Sequence, residues 1–194
     1  MPTGAIAIAV IVAIVLLGII LVGYFISIYN SLIRLKHNID KAWANIDVLL
    51  KQRHDELTKL LETVKGYMGY EKDVLTAVTT ARTDFMNAGT VKEKAAADGV
   101  MTAALKTLFA VAENYPQLKA NESFAQFQRR ISDIETQIAD RREFYNDSVN
   151  TFNIRIEQIP YVFVAGMLHL TTRELFDVPE ADKQDVDVRF NPAI

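Results

Sequence analysis

The sequence contains no cysteine. That excludes disulfides, thiol nucleophiles and Cys-ligated zinc, and it removes the usual pointer to redox compartment. Glycine and proline are scarce, 8 and 5 of 194 residues, which excludes collagen-like repeats and low-complexity linkers. A large excess of charge is also missing. The net charge is −3, too small to draw the chain to nucleic acid. With half of the residues hydrophobic, disorder is excluded as well. The most informative gap is local: residues 1–33 hold no charged side chain, and all 21 basic and 24 acidic residues follow Ile33.

Within that gap, residues 5–28 are apolar apart from Ser27 and the Tyr24 hydroxyl. Residues 6–28 would form a helix about 34 Å long, enough to cross a hydrocarbon core of about 30 Å. A cleaved signal peptide would carry Lys or Arg before a shorter apolar run and a small-residue cleavage site after it. Neither is present, so the segment is expected to stay as a transmembrane helix. Arg34, Lys36 and Lys41 follow it against one acid, Asp40. These three basic residues are expected at the lipid headgroups. By the positive-inside rule they place the N-terminus outside and the remainder in the cytoplasm.

Beyond the span, apolar positions recur at Leu32, Leu35, Ile39, Trp43, Ile46, Leu50, Leu57, Leu60 and Val64, with Arg53 in the same series. A second series runs Phe124, Phe127, Ile131, Ile134, Ile138, Tyr145, Val149, Phe152, Ile156, with Arg141 or Arg142 in step. The spacing averages about 3.5 residues, which predicts two long helices with coiled-coil-like seams. No Pro or Gly lies between Tyr24 and Lys65, so the first should continue from the membrane helix without a break. Shorter helices are expected at 70–86 and 92–112. They are separated by the turn Asn87-Ala88-Gly89-Thr90 and ended by Asn114-Tyr115-Pro116, with Asn121 or Ser123 capping the next helix. The expected fold is all-α: an N-terminal transmembrane helix running into an antiparallel, four-helix-type bundle. The domains are 1–29 for the membrane segment, 30–158 for the bundle, 159–170 for an apolar segment and 171–194 for an acidic tail. That tail sets three basic residues against six acidic ones and reads as extended and mobile.

No di-iron, zincin, phosphate-loop, nucleophile-elbow or EF-hand pattern occurs. The reading is of a protein that is not an enzyme, with no cofactor or metal. His54, beside Asp55 and Glu56, reads as a surface residue. Arg53 and Arg141 can be read in two ways. They can snorkel toward water or toward Glu56 or Asp140, or they can form a polar layer that fixes helix register. Asn146, Asn150 and Asn153 form a stripe suited to hydrogen bonding with a neighbouring segment.

Three stretches carry a family resemblance. One spans residues 38–82, with Ala42-Trp43, Ile46-Asp47-Val48, Leu50-Lys51-Gln52-Arg53, Glu62-Thr63-Val64-Lys65-Gly66-Tyr67 and Ala81-Arg82. Another spans 113–124. The last spans 141–166, with Tyr145-Asn146, Phe152-Asn153 and Pro160. In this order the sequence resembles the LemA family of bacterial membrane proteins. Leu57-Thr58-Lys59 stands where the family usually has Ile-Pro-Asn, and Tyr70 where histidine is common. The resemblance implies an N-terminal anchor and an antiparallel helical bundle, and it implies no enzymatic activity.

The resulting expectation is a single-pass protein of the bacterial cytoplasmic (inner) membrane that acts as a structural, self-assembling scaffold. The alternative is an adaptor binding a soluble protein through its bundle or acidic tail. The lipid bilayer is the first expected partner. A second copy is the next, because the short helices leave part of the long pair bare. The assembly seam would comprise Leu35, Ile39, Trp43, Ile46, Arg53, Arg141, Tyr145, Val149, Phe152 and Ile156, unless the C-terminal run covers it. That run, with Tyr161, Val162 and Phe163, would either meet the headgroups or fold back as core.

Overall fold

A computed structural model describes residues 2–177. Its elements are α1 (Pro2–Lys65), α2 (Lys72–Asn87), α3 (Val91–Ala112), α4 (Pro116–Lys119), α5 (Glu122–Glu157) and α6 (Tyr161–Met167). The protein is all-helical, an apolar N-terminal helix continuing into a helical bundle. No strand occurs among the described residues.

Local chemistry accounts for the boundaries. α1 runs without interruption through its apolar and polar halves, including Leu57-Thr58-Lys59. It ends where Tyr67 and Met68 both donate to the Val64 carbonyl, at 3.0 and 2.9 Å. α3 opens with a capping box. Glu93 N–H donates to Thr90 Oγ1 at 3.1 Å, and Thr90 N–H donates back to Glu93 Oε2 at 2.9 Å. The backbone donors of Thr90 and Gly89 hold the Glu93 carboxyl below its ordinary pKa. Asn121 caps α5 through Phe124 N–H at 3.1 Å. Pro116 does more than end a helix, since it also starts the single turn of α4.

The chain divides into two units. One comprises Met1–Trp43 with Tyr145–Arg173. Here α1 and α5 run antiparallel: Trp43 and Tyr145 rings lie 5.8 Å apart, while Arg155 Nη1 donates to Ser31 Oγ at 3.4 Å. Leu32, Ile39, Ala42, Tyr145, Val149, Phe152 and Ile156 are buried, as are Val164 and Ala165 of α6. Most positions of the seam expected to await a second copy are therefore buried within the chain, with Leu35 and Trp43 half-buried. α6 closes in a Schellman motif, with His169 N–H on the Gly166 carbonyl at 3.1 Å and Leu170 N–H on that of Ala165 at 3.0 Å. His169 takes the left-handed position, φ 50°.

The other unit comprises Ala44–Phe144 with the segment from Glu174. The rest of α1, α2, α3, α4 and the first part of α5 form its bundle around Leu50, Leu57, Leu60, Val64, Val78, Leu105, Leu108 and Ile131. The beginning of the expected mobile tail is fixed. Arg173 N–H donates to Asn153 Oδ1 at 2.8 Å, Asn153 Nδ2 returns a bond to the Arg173 carbonyl at 3.0 Å, and Phe176 is fully buried. The rest of the acidic tail, 178–194, lies outside the described residues.

Candidate functional site

The charges inside the bundle are the groups whose burial demands a reason, because a buried charge is costly unless paired. Arg53 occupies a seam position of α1 and is only 1 % exposed. Asp98 and Thr102 lie one turn apart on α3, and Glu135 lies on α5. Arg53 Nη2 sits 2.9 Å from Asp98 Oδ1 and donates to the Asp98 carbonyl at 3.2 Å. Its Nη1 reaches Thr102 Oγ1 at 3.1 Å and Glu135 Oε1 at 3.5 Å. One guanidinium thus ties α1, α3 and α5 together. This overturns the snorkelling alternative: Arg53 reaches neither water nor Glu56 or Asp140, but turns inward. Burial pushes the Asp98 carboxyl up despite Arg53 and Arg142, and it pushes Glu135 up with a further contribution from Asp98.

A second set surrounds this layer. His54, expected at the surface, is 8 % exposed and accepts at Nε2 from Arg82 Nε at 3.2 Å. An arginine can only donate, so Nε2 carries no proton and the ring is the neutral Nδ1–H tautomer. Burial and Arg82 lower the His54 pKa against the pull of Asp55. Glu56 Oε1 accepts from Lys59 at 3.1 Å and Arg130 at 3.4 Å. Asp47 pairs with Lys51 at 2.6 Å and with Lys94. Burial raises the Asp47 pKa, but the two ammonium groups outweigh it and hold the carboxyl below its ordinary range.

Such an arrangement pairs charges internally, while Arg53 Nε, His54 Nδ1 and Glu56 Oε2 are buried without a hydrogen-bond partner. Arg53 cannot exchange a proton, and its terminal nitrogens are committed to side chains and a carbonyl of the bundle. Among the described residues no group of three His, Cys, Asp or Glu side chains is placed to hold a metal. The layer can fix which helix faces which, and at what height.

The remaining sequence-selected residues fall as follows. Arg34 and Lys41 are exposed, while Lys36 and Leu35 are half-buried. Ile39 and Ile46 are buried, and Trp43 is half-buried against Tyr145. Arg141, expected on the seam, is exposed; the half-buried Arg142 takes the inward position and acts on Asp98. Tyr161 lies under the Arg155 guanidinium, 5.1 Å from its centroid, while Val162 and Phe163 face outward. The sequence reading missed Asp98, Thr102 and Glu135. Asp98 had a signal: it continues the buried series Met101, Leu105, Leu108, Ala112 of α3.

Fold and interior together define a class: a helical bundle clamped by a buried charge layer and preceded by a long apolar helix. The LemA family profile matches residues 42–190, a stretch that contains every residue of that layer. The chain belongs to the LemA family. It is 30 % identical to Protein LemA of Metamycoplasma hominis, over 89 % of this chain and 81 % of that protein. It is 22 % identical to Magnetosome protein MamQ 2 of Paramagnetospirillum magneticum and 21 % identical to Magnetosome protein MamQ of Magnetospirillum gryphiswaldense. Each of these two matches covers 76 % of this chain and 64 % of the relative, so the chain spans a little under two thirds of their length.

Proposed function

We propose that this LemA-family protein is a non-catalytic scaffold anchored in the bacterial cytoplasmic membrane by the N-terminal part of α1, with its bundle on the cytoplasmic side. The observation that carries the reading is the contrast along α1. Its large side chains from Ile6 to Ile26 are exposed and apolar, which water does not tolerate over such a length and a bilayer requires. Farther on, the same helix buries a clamped charge layer. In this reading the layer is structural, holding a rigid platform at the membrane surface.

Self-assembly belongs to the proposal through surfaces other than the seam, because Ile39, Tyr145, Val149, Phe152 and Ile156 are already covered within one chain. The decisive experiment is alkaline carbonate extraction of membranes carrying the full chain. The wild type should stay in the pellet. Ile11→Arg with Val15→Arg and Ile19→Arg, at about 2.5–3.5 kcal/mol of insertion cost each, should release the protein. Release of the wild type would refute the anchor. Protease added outside spheroplasts should leave residues 30–194 intact, and digestion without lysis would refute the orientation.

A further inference from the structure

α6 is apolar on both faces. Tyr161, Val164, Ala165 and Leu168, at i, i+3, i+4 and i+7, turn toward the protein and are buried or half-buried. The opposite face carries Val162, Phe163 and Met167, with Ile159 just before it. Phe163 is 68 %, Met167 69 % and Ile159 79 % exposed. No charged side chain occurs between Glu157 and Arg173. A helix that is apolar all round belongs in an apolar medium on every side, and here the protein supplies only one.

The height of α6 says what supplies the other. Arg155, on the last turn of α5, bonds Ser31 of α1 at 3.4 Å and lies over the Tyr161 ring that opens α6. Ser31 is three residues, about 5 Å along the helix axis, beyond Ile28, where the exposed apolar stretch of α1 gives way to buried positions. Tyr29 is exposed about 3 Å before Ser31 along the axis, and Tyr24 and Phe25 about 9–10 Å before it, as aromatic residues are near membrane–water boundaries. The headgroup layer is about 5–7 Å deep on each side, and helices lying in it bury one apolar face.

We infer that the outer face of α6 is a second lipid contact, a short helix docked in the headgroup–acyl boundary beside the point where α1 leaves the bilayer. The inference rests on the membrane anchoring proposed above. It adds that the platform meets the lipid surface directly, through two elements from opposite ends of the chain. Arg155 then sits at headgroup depth, with its charge available to lipid phosphate and its planar group on Tyr161.

Depth-dependent fluorescence quenching tests this with the full chain reconstituted in vesicles of phosphatidylcholine and phosphatidylglycerol. Trp43→Phe removes the native indole. Single indoles are then introduced by Phe163→Trp, by Met167→Trp as a second position on the same face, by Phe25→Trp in the span and by Tyr70→Trp, a site 97 % exposed in the bundle unit. Helical circular dichroism must match wild type. The inference expects indoles at 163 and 167 to be blue-shifted and to lose most of their emission to lipids brominated near the headgroup. Iodide should have little effect on them, and position 70 should behave in the opposite way. Quenching at 25 with iodide-accessible indoles at 163 and 167 would overturn the inference while leaving the anchor intact. Indoles at 163 and 167 reached by neither quencher would mean that a second copy covers the face, which also overturns it. Absence of lipid quenching at 25 would instead refute the anchoring on which it rests.

Discussion

The two units of the chain solve the same packing problem with different chemistry. Inside the unit built from α1 up to Trp43, the end of α5 and α6, the buried side chains are apolar, from Ile28 and Leu32 to Phe152 and Val164. Inside the bundle unit every buried charged or imidazole side chain of the described residues is found: Arg53, His54, Glu56 and Asp98. Apolar seams supply burial but tolerate sliding, since one Leu or Ile is much like the next. A guanidinium shared by three helices tolerates none, because any shift leaves a buried charge unpaired. The comparison sets an apolar interior in one part of the molecule against an apolar interior crossed by a charge layer in the other.

The largest effect that would break this contrast is at Arg53. Arg53→Met leaves Asp98 buried without its cation and should destabilise the bundle by about 3–5 kcal/mol, read from urea unfolding followed by circular dichroism. Adding Asp98→Leu and Glu135→Gln should restore most of the loss, since a packed apolar layer replaces a charged one at little cost. The restored protein should unfold less cooperatively if the layer sets register. Failure of the triple variant to recover would mean that the charges contribute net stability and not specificity.

In the other unit, Leu32→Ala removes a fully buried side chain and should cost about 2–5 kcal/mol, as large-to-small core changes do. Trp43 lies in the same unit against Tyr145, so its emission during denaturation reports that loss locally.

A smaller effect, carried by groups of the bundle unit alone, depends on pH. Asp47, paired with Lys51 and Lys94, has its carboxyl held below the ordinary value. A lowered folded-state pKa means stability that is present above the unfolded pKa and lost as pH falls through the folded one. The stability difference between wild type and Asp47→Asn should therefore be constant near neutrality and close below about pH 4. Asp98 and Glu135, whose carboxyls are raised, act in the opposite sense. Their contribution declines as pH rises from the ordinary carboxylate range to their raised values.

The smallest effect is at His169, whose left-handed backbone suits glycine better. His169→Gly should stabilise the Schellman turn by about 0.5–1 kcal/mol, visible as a modest rise in Tm.

Much of this contrast was legible in the sequence, and the parts that were not have identifiable causes. The period of about 3.5 residues and the uninterrupted stretch to Lys65 gave the long helices, and Asn87-Ala88-Gly89-Thr90 and Asn121 marked a turn and a cap. Arg141 was preferred over Arg142 because both stand three or four residues from Ile138 and from Tyr145. A 3.5-residue count cannot choose between them, while the real helix drifts about 20° per heptad. His54 read as a surface residue because a narrow seam was assumed for α1. His54 and Leu61 in fact lie buried next to the seam residues Leu50 and Leu57, so the buried face of α1 is wider than one seam. The partners of Arg53 were missed because pairing between helices far apart in sequence leaves no local trace, although Asp98 interrupted an apolar series of its own helix. Coverage of the seam by the C-terminal run stood only as the alternative, because the run after Pro160 could be read as lipid-facing or as core. α6 buries one side and exposes the other.

Hydrogen exchange of the full chain in vesicles, compared between wild type and Arg53→Met, addresses the division most directly. Amides of residues 6–28 should stay protected in both proteins, because lipid offers their backbone no other partner. Amides of residues 44–65, α2, α3 and 122–144 should exchange faster in the variant. Equal acceleration along the whole of α1, or no acceleration in the bundle, would contradict the assignment of the apolar stretch to the bilayer and of the charge layer to the bundle's specificity.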